Sequence, residues 1–172
     1  MFRHHNDEGS SPSVYQMHQK MFSIGDDFWI ENGAGQRAFK VDGKALRVRK
    51  TLELQGADGV VLYKIQEKLV SVRDVMTIDG PNGQVATVKK ALISPLRERY
   101  NIEFEGGGEW KAQGNLVDHE YEIESDQGKV AEVGKKWFRV RDTYGVSVAP
   151  GQDPAIVLAV AIVIDQMAHG GR

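Results

Sequence analysis

The sequence predicts a mainly β protein: a closed twelve-stranded antiparallel barrel around a central hydrophobic C-terminal helix. Three observations predict it. A short motif recurs at Lys20, Lys44, Lys68, Lys90 and Lys136, with one blurred copy near Gly114, at a spacing of roughly two dozen residues. Apolar and polar residues alternate through both halves of each copy, and one wholly apolar stretch closes the chain.

The alternation defines the strands. Phe22 and Ile24 are followed by Phe28 and Ile30, Leu46 and Val48 by Leu52 and Leu54, Val70 and Val72 by Met76 and Ile78. In the last copy Phe138 and Val140 precede Tyr144, Val146 and Val148. A period of two buries one face of a strand and leaves the other to water. Between the halves a polar residue takes the inward phase, at Asp26, Lys50, Asp74 and Asp142, and a bend there folds each copy into a hairpin.

Turn residues separate the copies. They are Asn32-Gly33-Ala34-Gly35, Gly56-Ala57-Asp58-Gly59, Gly80-Pro81-Asn82-Gly83, Gly106-Gly107-Gly108, Asp126-Gln127-Gly128 and Pro150-Gly151, rich in residues that reach positive φ cheaply. Units then start near Val14, Arg37, Val60, Gln84, Glu109 and Lys129. Six units give twelve strands. A leucine-rich solenoid shares the period, but no helical stretch lies between the halves, which disfavours it.

The end of the chain changes character. Asp153-Pro154 is a helix start, and Ala155 to Ile164 carries no polar side chain. A helix over about 154–168, stopped at Gly170, would be apolar all round and would need protein on every side. The rival assignment is a β segment, since Ile, Val and Leu favour strands. The Asp-Pro start and the interspersed Ala155, Ala159 and Ala161 favour helix. The apolar run is well short of the roughly 20 residues that cross a bilayer. A barrel this wide has more interior than its own side chains fill, so the helix supplies the filling.

Composition narrows the function. The chain has 172 residues, 41% hydrophobic and 27% charged, which suits one globular domain. It spans residues 14–169 after a polar tail, 1–13, with neither a secretion signal nor an anchor pattern. There is no cysteine, so thiol catalysis, disulfides and cysteine metal sites are excluded; a cytoplasmic location, peripheral to the membrane if lipid is the partner, is compatible. With 22 Lys and Arg against 24 Asp and Glu, the net charge of −2 offers no general attraction to nucleic acid.

Several segments together resemble the LURP-one-related family of the tubby C-terminal-like superfamily. They are Gln19 to Phe28, Phe39 to Leu46, Gln66 to Leu69, Val88 to Lys90, Leu116 to Tyr121, Lys136 to Arg139, Asp142 to Val146 and Ala161 to Asp165. The resemblance spans about residues 14 to 169 and implies the barrel with an enclosed helix. Tubby domains bind phosphoinositide headgroups through basic residues, but none of those positions can be matched here. Scramblases, another branch, carry acylated cysteines and a membrane-associated helix that this sequence lacks, so their activity is not carried over.

The candidate ligand-binding residues are therefore basic: Arg47 and Arg49, Lys89 and Lys90, Arg97 and Arg99, Arg139 and Arg141. Residues two apart share a strand face, and paired guanidinium groups suit phosphate. The plainer alternative is a solvated outer wall, opposed by Glu53, Glu98, Glu103 and Glu132. Asp118, His119 and Glu120 invite a metal or acid/base site, but on a strand His119 would face away from the two carboxylates. The histidines of the tail, His4 and His5, and His18 lack metal-binding spacing. Trp29, Trp110 and Trp137 all fall on expected strands.

The expected function is a non-catalytic binding or regulatory module that takes an anionic phospholipid headgroup, or a protein partner, with no cofactor and no metal. The alternatives are a small-substrate enzyme centred on Asp118 to Glu120, or a protein-interaction scaffold.

Overall fold

The computed structural model describes residues 11–19, 27–43, 51–67, 75–94 and 97–169. Twelve strands and one helix follow in order: β1 Ser13–His18, β2 Phe28–Asn32, β3 Arg37–Asp42, β4 Thr51–Gly56, β5 Val61–Glu67, β6 Val75–Gly80, β7 Gly83–Ser94, β8 Arg97–Phe104, β9 Glu109–Asn115, β10 Glu120–Ser125, β11 Gly128–Gly134, β12 Thr143–Val148 and α1 Pro154–His169. Each strand pairs antiparallel with its sequence neighbour, and β1 pairs with β12 to close the barrel. Closure leaves no sheet edge for another chain to extend.

The hairpin turns fall at the glycine-rich separators. Gly80 pairs with Gly83, so Pro81-Asn82 is a two-residue loop, and Gly83 takes φ 117°. The expected alternation is borne out at Ile30, Leu52, Leu54, Met76, Ile78, Tyr144, Val146 and Val148, all buried. The motif copies at Lys20, Lys44 and Lys68, the bends at Asp26, Lys50 and Asp74, residues 1–10 of the tail and Gly170 lie outside the described residues.

Helix α1 has the expected start. Asp153 Oδ1 accepts the Ala155 N–H at 3.0 Å, which caps the first turn. Its side chains from Val157 to Ile164 are all fully buried and join the strand residues in one core. Burial of each Val, Leu or Ile side chain among them contributes roughly 1.5–3 kcal/mol before entropy. The barrel interior is thus a packed core with α1 as its filling.

The last copy departs from expectation. The strand expected through Phe138 and Val140 ends at Gly134, and residues 135–142 form a looped connection. Val140 is 60% exposed rather than inward-facing. The chain turns back so that Trp137 and Phe138 lie over the bare backbone of β11 and β12. A Cβ on Gly145 would sit 2.8 Å from Trp137 and 3.2 Å from Phe138, and one on Gly134 would sit 3.3 Å from Trp137. Two aromatic rings gain more by covering these glycines than by extending a strand into solvent. Trp137 is therefore not on a strand, and Arg139 and Arg141 do not share a strand face. The bend expected at Asp142 is present, with φ 60°.

Candidate functional site

The strand-borne basic residues are mostly engaged. Lys89 on β7 pairs with Glu103 on β8 at 3.0 Å, and Lys90 approaches Glu98 at 3.8 Å. Adjacent strand residues point to opposite sides, so Lys89 and Lys90 do not form one surface. Arg99 is half-buried, and its Nε is shielded from water with no hydrogen-bond partner among the described residues. Arg97 precedes it on β8, but its side chain lies outside the described residues, as do Arg47 and Arg49 entirely. Lys129 on β11 pairs with Glu122 at 2.8 Å, and Lys136, in the loop that follows β11, pairs with Glu132 at 2.7 Å. In these pairs, among the described residues, neighbouring charges neutralise each other.

The β11–β12 connection differs. Arg139, Val140 and Arg141 are exposed in succession. The Arg141 side chain is 95% exposed, and its one ion-pair contact among the described residues is at 3.8 Å to Asp142, itself 75% exposed. Arg139 makes no ion pair among the described residues. Thr143 Oγ1 donates to the Val140 carbonyl at 2.7 Å, and the Lys135 N–H donates to Glu120 at 3.0 Å, which pin the two ends of this connection. The Lys136 ammonium stands 4.7 Å from the centre of the Trp137 ring.

At the same end of the barrel, the β9–β10 turn places His119 against the last turns of α1. Asp118, His119 and Glu120 do not converge. Asp118 closes a turn with Asn115, accepting from its side-chain amide at 2.7 Å, and Glu120 caps Lys135. His119 alone turns inward, through a backbone with φ 57°, and is buried. Its Nε2 makes a short hydrogen bond with Asp165 Oδ1, 46 residues away in the sequence.

Asp165 is 2% exposed and ends the apolar run of α1. One helical turn later, His169 Nδ1 lies 3.0 Å from the Asp165 carbonyl and 3.2 Å from its Oδ1, while His169 Nε2 lies 2.9 Å from the Val117 carbonyl. The His119 ring stacks between Tyr144 at 4.1 Å and His169 at 5.1 Å. Burial, with the Asp165 carboxylate second, pushes the Tyr144 and Tyr121 hydroxyls well above their ordinary range. Asp165 Oδ2, His119 Nδ1, Gln166 Oε1 and the Tyr144 hydroxyl are buried with no hydrogen-bond partner among the described residues.

This cluster was not evident from the local sequence around His119. The usable signal was elsewhere: Asp165 and His169 stand four apart on a helix and share a face, which makes a two-ligand pair. The third member comes from a different turn, and only barrel closure brings it there.

Comparison with known proteins agrees with this architecture. The family model described as LURP-one-related matches residues 13–165. An uncharacterised Bacillus subtilis protein, YxjI, is 30% identical over 153 residues, which cover 89% of this chain and 92% of that protein. An Arabidopsis thaliana protein of known X-ray structure superposes with a TM-score of 0.69 at 16% identity, covering 92% of each chain. At that identity the match speaks for the fold alone.

Proposed function

This chain belongs to the LURP-one-related family, and from that premise we propose that it is a non-catalytic binding module that takes an anionic phospholipid headgroup at the tip of its β11–β12 connection. The observation that carries this reading is the joint exposure of Arg139, Val140 and Arg141, beside an interior already filled by α1. Guanidinium groups offer phosphate several donors in fixed geometry. A basic side chain near an anionic membrane contributes about 1 kcal/mol, and an exposed valine between two such groups adds a small apolar contact. Lys89 and Lys90, already held by carboxylates, contribute less.

The test is co-sedimentation with vesicles of phosphatidylcholine alone or with added phosphatidylserine, at low and physiological salt. The expected result is recovery only with the anionic vesicles, weakened by salt and lost in the Arg139→Glu, Arg141→Glu double variant. Lys89→Glu should bind much as the parent does. Equal recovery on neutral vesicles, or a double variant that still sediments, overturns the reading.

A further inference from the structure

We propose that His119, Asp165 and His169 form a binding site for one divalent transition-metal ion of the zinc class, at the end of the barrel where α1 finishes. One ligand atom from each residue lies within 4.8 Å of the others. Two imidazoles and a carboxylate suit zinc, whereas magnesium and calcium prefer oxygen alone.

The hydrogen-bond arithmetic calls for a cation. His169 Nε2 faces the Val117 carbonyl at 2.9 Å and Nδ1 faces the Asp165 carbonyl at 3.0 Å, and a neutral ring has one proton for these two acceptors; we place it on Nε2. The other nitrogen, Nδ1, then aims a lone pair at two oxygens of Asp165, at 3.0 Å and 3.2 Å. A ring held by a backbone carbonyl on one side and free to ligate on the other is the usual setting of a metal-bound histidine. Asp165 Oδ2 is buried beside it with no partner among the described residues, which is costly for a carboxylate oxygen.

The spacing needs only small shifts. Bonds of 2.0–2.1 Å in a tetrahedron place ligand atoms about 3.3 Å apart, and the Asp165 Oδ1 to His169 Nδ1 distance is already 3.2 Å. The contact between His119 Nε2 and Asp165 Oδ1 is shorter than this spacing and must open for both atoms to bind one ion. The His119 and His169 rings are within 11° of parallel, so His169 must also pivot about χ2, a soft torsion. Its side chain, 33% exposed, has room to do so. Three protein ligands leave a fourth position for water.

A second proton on His169 would meet the same electrostatic need, and the experiment separates the two. The 172-residue chain is stripped with EDTA, dialysed, and titrated with ZnCl2 by calorimetry and with CoCl2 by visible absorption. The expected result is one zinc per chain, a four-coordinate Co2+ spectrum and a higher melting temperature with zinc. His4→Ala with His5→Ala, which removes the tail histidines, should leave all three intact. His169→Ala should weaken zinc at least about tenfold, and because it lies at the rim it decides the matter even if His119→Ala does not fold. No stoichiometric zinc, binding that disappears with the tail histidines, or binding untouched by His169→Ala overturns the proposal.

Discussion

The Trp137 ring lies over Gly145, so close that a Cβ at position 145 would come within 2.8 Å of it. The pair holds the β11–β12 connection against the barrel wall, and so sets where Arg139 and Arg141 emerge. Gly145→Ala should therefore displace the ring or the strand. Overpacking of this kind costs about 1–3 kcal/mol. Urea denaturation should show a lower midpoint and the Trp137 contribution to fluorescence should shift. An unchanged midpoint and spectrum would mean that the ring does not rest there.

Gly114 is more demanding. Its φ is 137°, and a Cβ there would meet the Glu120 carbonyl oxygen at 2.7 Å and Tyr121 Cα at 2.8 Å. Backbone atoms cannot rotate away as a side chain can. Backbone strain and steric overlap together should cost Gly114→Ala about 2–5 kcal/mol, more than Gly145→Ala. If chemical denaturation ranks the two variants the other way, Gly114 does not sit opposite Tyr121 in the β9–β10 register.

Ile162 lies in the middle of α1 and is fully buried. Ile162→Ala leaves a cavity that strands on every side of the helix would have to fill, and should cost about 2–5 kcal/mol. Val140→Ala, on a residue 60% exposed, should change stability by less than about 0.5 kcal/mol. Equal effects from the two would contradict the placement of the helix in the core.

The buried tyrosines predict a pH dependence. The Tyr144 and Tyr121 hydroxyls are pushed well above 10 in the folded chain, by burial first and Asp165 second, while the unfolded chain ionises near its ordinary value. Above about pH 10 the unfolded state therefore binds fewer protons, and stability falls as pH rises. Below that value the contribution is whole. Each tyrosine can add a slope of up to about 1.4 kcal/mol per pH unit. Denaturant midpoints measured between about pH 8 and 11 should decline at the alkaline end, and Tyr144→Phe should decline less steeply.

How much of this was legible beforehand depends on how local the signal is. Ile30, Leu52 and Met76 announce inward strand positions through their alternation, and Asp153-Pro154 announces a helix through its cap. Phe138 and Val140 carried the same alternation and misled, because a period of two describes a strand only while the chain has a neighbour to pair with. Past Gly134, the better use for Trp137 and Phe138 was to cover glycine backbone. The candidate site was less legible still. The basic residues were visible, but the pairing of Lys89 with Glu103 and of Lys90 with Glu98 depended on strand register.

The sequence by itself determined that the chain alternates strands and glycine-rich turns and that its apolar end must be enclosed, since periodicity, turn chemistry and hydrophobic burial act between residues close along the chain. Only the tertiary structure decided that Asp165 and His169 meet His119, that Asp118 and Glu120 turn elsewhere, and that Arg139 and Arg141 stand on a loop. The contact of His119 with Asp165 joins residues 46 apart, and its geometry follows from the register in which the barrel closes around α1.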